Sequence, residues 1–423
     1  MLRMIIGGMV FLVTLGLVMA RPRRVTEAIA AASGAILMLL GGYVGLGEAL
    51  TLVRGQWNVY GFFLGLMITS ALADQAGVFE VMTHQIARWA RGNALRLYLA
   101  VFLLGALITT FLSNDATALI LTPIVYALVT RLRLSPLPFL FACTFIADTA
   151  SFLLPVSNPI NILVINVFGG GLGTFLRFLI LPSLFCIGLN IALFVWLFRR
   201  DLRQCYNLAD LPRAEPASPA FLRFASGVLV LVAVAYVLAA AFQLPLSAVA
   251  LGGSGLLALG AVRYDCFDWR KLRHEISWSL LIFISGMFLL VKSIENLGLT
   301  AAFGKALLHV AGNSPLRATM LTAGGTALGS NLINNVPMTL IMISAQNAIQ
   351  TTGRGHAALI YAIILGADLG PNLTTVGSLA TMLWLLALRR KGVDISTLEY
   401  FKLGITVVPL MILVGSVLLW LRL

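Results

Sequence analysis

Residues 366–380 read Gly-Ala-Asp-Leu-Gly-Pro-Asn-Leu-Thr-Thr-Val-Gly-Ser-Leu-Ala. An apolar run carries one carboxylate, Asp368, breaks at Gly370-Pro371 and again at Gly377-Ser378, then resumes toward Trp384. Residues 147–159 read Ala-Asp-Thr-Ala-Ser-Phe-Leu-Leu-Pro-Val-Ser-Asn-Pro. The two stretches superimpose: Asp148 falls on Asp368, Val156 on Val376, and Ser157-Asn158 on Gly377-Ser378. At almost the same offset Ser113-Asn114-Asp115 answers Asn334-Asn335-Val336, and Asp74 answers Glu295. The chain reads as one unit written twice, with polar breaks at matching depths.

Composition excludes a soluble domain. Hydrophobic residues make up 60% and charged residues 11%, where a soluble protein carries about 25% charge. Several apolar runs approach or exceed the roughly 20 residues that span hydrocarbon, so we expect an all-α polytopic membrane protein embedded in the lipid bilayer. The first run, 4–20, has the length of a signal peptide, but Arg21, Arg23 and Arg24 follow it rather than precede it, and we read it as a retained span. The net charge of +13 does not point to nucleic acid, because the basic residues cluster in short loops as the positive-inside rule requires. Cys143, Cys186, Cys205 and Cys266 show no metal-ligand spacing and no disulfide framework. We expect no cofactor and no tightly bound metal.

The spans follow in order. We place them at 4–20, 25–45 and 59–79, the last containing Asp74, with a short interfacial segment at 84–91. Residues 96–129 are apolar but broken at Ser113-Asn114-Asp115. Each arm is about 15 residues, short for a crossing at 1.5 Å per residue, and basic residues flank both ends, so a re-entrant hairpin is expected. Residues 138–168 form a span broken at Pro155 and Ser157-Asn158-Pro159, since proline removes a donor and clashes with the preceding turn. A span at 174–198 closes the first repeat, 1–198. The hydrophilic stretch 199–220 is expected to be a cytoplasmic linker.

The second repeat, 221–423, has spans at 221–241, 246–262 and 276–297, a hairpin at 318–348, a broken span at 356–388 and a closing span at 403–421. That makes ten full spans, five per repeat, plus two hairpins. An odd number inverts the second repeat relative to the first. With the loop at 21–24 inside, most of the 29 Lys and Arg fall on that side, and both termini face the exterior.

Inverted repeats with discontinuous helices recur in secondary transporters, whose substrate site lies at the midplane between repeats. A broken helix leaves backbone groups and dipole ends unsatisfied inside the membrane. They are tolerated only where protein or a water-lined cavity covers them, and there they can hydrogen-bond a polar solute. The candidate substrate-binding residues are Ser113, Asn114 and Thr117 at the first hairpin, Ser157, Asn158 and Asn161 at the first break, Asn331, Asn334 and Asn335 at the second hairpin, and Thr375, Gly377 and Ser378 at the second break. Asn372 and Thr374 belong to the same polar group.

Asp115, Asp148 and Asp368 are candidate proton carriers, since an intramembrane carboxylate suggests a function by default. The plainer alternative stands beside each: Asn, Asp and Ser cap turns and free backbone groups. Asp115 faces Val336 in the second repeat, so it is the first candidate for asymmetric proton handling. Asp74 and Glu295 read as interfacial, as do His309 and His356. Cys143 and Cys186 read as small hydrophobes, and Trp57, Trp89, Trp269, Trp278, Trp384 and Trp420 as an aromatic belt. No Gly-x-x-x-x-Gly-Lys-Ser/Thr loop is present, so energy must come from an ion gradient or a partner.

These features together resemble the ArsB-type arsenite/antimonite permeases of the ion transporter superfamily. The likeness rests on FLSNDATALILTPIV at 111–125, FISGMFLLV at 283–291, GADLGPNLTTVGSLATMLW at 366–384 and the break at Ser157-Asn158-Pro159, and it covers essentially the whole chain. The resemblance implies a non-enzymatic exporter of the prokaryotic inner membrane. Its cargo would be trivalent arsenite or antimonite as the neutral trihydroxide, exchanged for protons, with a cytoplasmic arsenite-stimulated ATPase subunit as partner in some members. It also implies that Asn114, Asp115, Ser157, Asn158, Asn335, Ser378, Asp148 and Asp368 line or couple the central site. Relatives of the family exchange sodium for protons or take up citrate and dicarboxylates, and a channel or scaffold driven by a partner ATPase lies outside the carrier class. Asn372 stands where some permeases carry a lysine. None of the polar clusters contains Arg or Lys, which suits a neutral polyhydroxy solute held by reversible hydrogen bonds from Asn, Ser and Thr.

Overall fold

The computed structural model describes residues 2–20, 25–169, 171–211, 218–312, 314–349 and 353–422. Arg21, Arg23, Arg24, Pro212, Arg213 and Pro216 lie outside the described residues. Among the described residues every regular element is helical, apart from one isolated bridge between Asn93 and Cys205.

The chain opens with α1 (Leu2–Ala20), α2 (Glu27–Leu40), a short α3 (Leu46–Gly55), α4 (Trp57–Gln75) and α5 (Val78–Trp89). Next come α6 (Ala94–Phe111), the single turn α7 (Asn114–Ala116), a π turn at Thr117–Leu121 and α8 (Thr122–Arg131). Then α9 (Pro136–Thr149), a 3₁₀ turn (Pro155–Ser157) and α10 (Pro159–Phe168) form a broken helix, followed by α11 (Leu172–Leu197). The order then recurs. It runs α12 (Pro219–Ala241), α13 (Leu246–Arg263), α14 (Trp269–Glu275), α15 (Trp278–Asn296), α16 (Leu299–Ala311), α17 (Pro315–Ile333), α18 (Asn335–Ile349), α19 (Gly353–Leu369), a 3₁₀ turn (Gly370–Leu373), α20 (Leu379–Arg389) and α21 (Thr397–Trp420).

Packing is reciprocal between the two series: α4 lies on α13, and α15 lies on α2. Both seams are closed by a glycine. A Cβ on Gly65 would lie 2.5 Å from the Ala250 carbonyl carbon, and one on Gly286 would lie 2.7 Å from that of Ala31. Small residues that let backbones meet are how membrane helices associate, since lipid offers no hydrophobic drive. The corners after these helices also match. Gly77 and Gly298 both take φ of 77°, a left-handed value open to glycine, and the first corner bends α4 and α5 by 60°.

Several expectations need correction. Three short helices, α3, α14 and α16, were not foreseen, and the interfacial segment at 84–91 is the end of the longer α5. The first arm of each hairpin exceeds the expected length: α6 has 18 residues and α17 has 19, about 27 Å or more at 1.5 Å per residue. The breaks, and not arm length, therefore define the hairpins. The π turn in the second arm follows from Pro123, which has no N–H for the preceding turn.

Among the described residues seven helices are long and apolar enough to cross a membrane, or eight with the bent α4–α5 pair. The expected ten divides the same helices differently, treating α6 as a hairpin arm and adding the short α1 and α2 and the paired halves α9–α10. The hydrophilic linker is partly fastened down. The Tyr206 hydroxyl donates to Ala87 O (2.5 Å), its N–H to Gly92 O (2.9 Å), and Gln204 O accepts from Ala94 N (3.1 Å).

Trp384 is not part of a belt: it is 0% exposed and packs at a tilt against Phe141 (ring centroids 5.8 Å apart) and Tyr400 (5.9 Å) behind the second break. The other five named tryptophans are exposed. Cys143 and Cys186 are buried, Cys266 is half-buried and Cys205 is exposed.

Candidate functional site

Each broken helix stops for a local reason. After α9, Pro155 opens a 3₁₀ turn, and Asn158 starts α10 by accepting from Ile160 N (3.1 Å). After α19, Gly370-Pro371 opens the other 3₁₀ turn, and Ser378 starts α20 by accepting from Thr381 N (3.1 Å). Asp148 and Asp368 occupy the last turns of α9 and α19, where the negative end of a helix dipole opposes an ionised carboxylate.

The two carboxylates are held by caps from the opposite break. Asp148 accepts from Ser378 Oγ (3.3 Å), Thr381 Oγ1 (3.3 Å) and Asn114 Nδ2 (3.4 Å). Asp368 accepts from Asn158 Nδ2. The N-terminal cap of each second half-helix thus faces the carboxylate at the C-terminal end of the other broken helix, so favourable and unfavourable dipole ends compensate. Asp148 is 1% and Asp368 0% exposed.

The first hairpin turns in an extended Ser113, whose Oγ accepts from Ala116 N (3.1 Å). The second turns in Asn334 at φ 72° and ψ 154°, a region nearly reserved for glycine, in which other residues store about 1–3 kcal/mol of strain and which clusters at functional sites. Its tip is pinned to the second break by Asn335 N donating to Gly377 O (3.0 Å).

Two cavities reach these tips. One, of about 470 Å³, is lined by Asn334, Val336, Thr375 and Val376 and extends to Glu27, Arg389 and Thr397. The other, of about 450 Å³, is lined by Ser113 and Asp115 together with Ser70, Arg273, Glu275 and Arg390. Both run beside Leu379, Leu383 and Leu386 of α20 toward the end of the molecule that carries the basic loops. Among the described residues no group of three or more His, Cys, Asp or Glu side chains is placed to hold a metal ion.

A sequence profile described as "ArsB: Arsenical pump membrane protein" matches residues 6–423. The chain belongs to the ArsB family. The "Arsenical pump membrane protein" of Escherichia coli strain K12 is 34% identical over 407 residues, covering 95% of each chain. The protein of the same description from Yersinia enterocolitica is also 34% identical over 407 residues. A "46 kDa membrane protein" of Mycobacterium leprae is 27% identical over 437 residues, covering 99% of this chain and 98% of that one. Among solved structures, the Alcanivorax borkumensis YdaH transporter has a TM-score of 0.57 at 16% identity, covering 88% of this chain and 86% of its own. Neisseria gonorrhoeae MtrF has a TM-score of 0.52 at 11% identity, covering 98% and 94%. At such identities these two share the fold.

In this ArsB-family chain, a multi-pass integral membrane protein, the expected site residues divide into groups. Asn114, Asp148 and Ser378 meet, as do Asn158 and Asp368, while Asn334 and Thr375 share one cavity and Ser113 and Asp115 the other. Other candidates are spent on the backbone or within their own hairpin. Thr117 Oγ1 pairs with Thr109 Oγ1 (2.8 Å) inside the hairpin. Ser157 Oγ donates to Thr110 O (3.1 Å). Asn161 Nδ2 donates to Ser151 O (2.7 Å) and Leu154 O (3.2 Å), and Asn331 Nδ2 to Ala327 O (2.8 Å) and Gly370 O (2.7 Å). Asn372 Nδ2 donates to Phe145 O (3.2 Å), across the two broken helices.

Three residues escaped the sequence reading. Thr381 carried a usable signal, standing three residues after the cap Ser378, where a first-turn side chain faces what the cap faces. Arg273 and Arg390 carried none, reading only as loop charges. The polar clusters themselves contain no Arg or Lys, but these two side chains line the cavity that reaches Ser113 and Asp115.

Asp74 and Glu295 have partners. Asp74 pairs with Lys271 of α14 (2.7 Å), and Glu295 with Lys292 (2.7 Å) and with Ser344 Oγ of the second hairpin (2.9 Å).

Proposed function

We propose that this chain is a secondary active exporter of trivalent arsenite or antimonite, carried as the neutral trihydroxide in exchange for protons. It is read as a carrier and not an enzyme, in the cytoplasmic membrane of a prokaryote. The observation that carries the proposal is the crossed pairing of Asp148 and Asp368 with the caps Ser378 and Asn158. A charge-neutralising event at either carboxylate weakens the bonds joining the two breaks, which is the linkage an exchanger needs. Membership of the arsenical pump family supports the cargo.

In this reading 1–198 and 221–423 are inverted repeats joined by the linker 199–220, and the basic end is cytoplasmic. The two cavities on that end are then vestibules through which the solute loads toward the hairpin tips. Asp115, which lines a vestibule rather than the sealed centre, exchanges protons with the cytoplasm. Arsenic hydroxyls both donate and accept, so amide and hydroxyl side chains can hold them without thiolate bonds.

A second reading has its own support. Arg273 and Arg390 line one vestibule together with Asp115 and Glu275; where the two carboxylates are neutralised by protons or cations, the arginines favour an anionic solute and hence a cation-coupled dicarboxylate carrier. Uptake into everted vesicles under an imposed pH gradient, with arsenite, sodium and succinate offered separately, decides between them. Arsenite uptake that collapses with the gradient, and falls to vesicle background in Asp115→Asn, is expected. Succinate uptake without arsenite flux would establish the second reading, and sodium–proton exchange alone would make the chain a cation antiporter. Concentrative uptake in vesicles holding only this chain would exclude a channel that depends on a partner ATPase.

A further inference from the structure

A third cavity, of about 290 Å³, lies at the end of the molecule opposite the basic loops. Pro155 of the first break forms part of its wall, so it abuts the central site from the side the two vestibules do not reach. Its polar lining is three neutral amides, Asn58, Asn166 and Gln243, and none of the described residues that line it is charged.

These amides join elements that pack as separate groups. Asn58 is on α4, whose seam with α13 is closed by Gly65, and its Oδ1 accepts from Ser247 N (3.3 Å) on α13. Its Nδ2 donates to Asn166 Oδ1 (3.2 Å) on α10, the second half of the broken helix. Gln243 follows α12 with φ of 55°, a conformation that favours glycine. Its amide lies over the corner between α10 and α11, where a Cβ on Gly171 would come within 3.3 Å of Gln243 Nε2.

We propose that this cavity is the outward release station for a neutral, multiply hydroxylated solute and that the Asn58–Asn166 pair is its gate. The proposal rests on the export reading above. Uncharged donors and acceptors give such a solute a weak hold between the break and the exterior, whereas a charged group would retain an ion. Separation of α10 from α4 breaks the Asn58–Asn166 bond and opens the cavity outward, and the solute passes Pro155 to reach it.

Two substitutions at one exposed position test this. Asn166→Trp fills the cavity, and Asn166→Ser removes the gate bond while leaving the space. Arsenite uptake into everted vesicles is expected to fall about tenfold in Asn166→Trp, the scale of a modest bias between two states. Arsenite is expected to raise the melting temperature of the purified parent and of that variant alike, because the central site is untouched. Asn166→Ser should transport at the parent's rate or faster. Parent-level flux in Asn166→Trp overturns the proposal. So does loss of the arsenite-dependent melting shift together with flux, which would assign Asn166 to folding of the centre. A parent protein with neither flux nor shift refutes the export reading instead, and is scored before the variants.

Discussion

Asp148 receives side-chain donors from Asn114, Ser378 and Thr381 on two other elements, so its charge and its acceptor oxygens can be separated by mutation. Asp148→Asn keeps one acceptor and removes the charge. Asp148→Ala strands the Asn114 amide and one hydroxyl of the Ser378–Thr381 pair, whose two oxygens lie 3.0 Å apart and can bond each other, at about 1–3 kcal/mol for an unsatisfied group. We expect both to reduce pH-driven arsenite flux to background, with the alanine variant melting at the lower temperature. Flux retained in Asp148→Asn would make the residue a structural anchor. Repetition at a fixed offset from Asp368 made this residue visible in the sequence. Its crossed partner was not visible, because nothing local says that Ser378 caps one helix while facing the carboxylate of another.

At the scale of elements, the breaks were legible and the seams were not. Pro155, Gly370-Pro371 and the caps Asn158 and Ser378 act within their own turns, so their effect is readable in order along the chain. Gly65 and Gly286 look like any other glycines in apolar helices, yet each marks a backbone approach. Gly65→Val would drive new atoms into Ala250, and overpacking of this kind costs about 1–3 kcal/mol. A lower melting temperature of the purified protein is expected, with Gly188→Val as control, since a Cβ there meets nothing within 4 Å. Equal melting of the two variants would remove the seam from the account of stability. The short α3 escaped notice because Glu48 and Arg54 make it look like loop. It is held by tertiary partners, with Glu48 accepting from Asn296 Nδ2 (3.3 Å) on α15.

Across the whole molecule, cavities on the basic end approach the two hairpin tips, and a separate cavity on the other end approaches the first break. In the proposed reading these cavities are vestibules on the two faces of a central barrier, an arrangement that suits alternating access and gives the proposed inversion a direct test. Alkaline phosphatase fused to the C-terminus should be active, because that end is expected outside. An inactive fusion, with a fusion in the loop between α14 and α15 active, would reverse the orientation and exchange the roles of the inner and outer cavities.

Family membership, the membrane setting, the helical class and the positions of the breaks followed from the sequence by itself. Each depends on hydropathy, on residues that cannot continue a helix, or on a motif carried within a few turns. Only the tertiary structure decided which polar side chains face one another. Asn161, Asn331 and Ser157 satisfy backbone groups, whereas Asn114, Ser378 and Thr381 gather on one carboxylate, and these residue types are interchangeable until the fold sets their directions. The same holds for Arg273 and Arg390, whose charge bears on the expected side of the membrane but not on a cavity wall. Long-range packing supplies that information, and no stretch of the chain contains it alone.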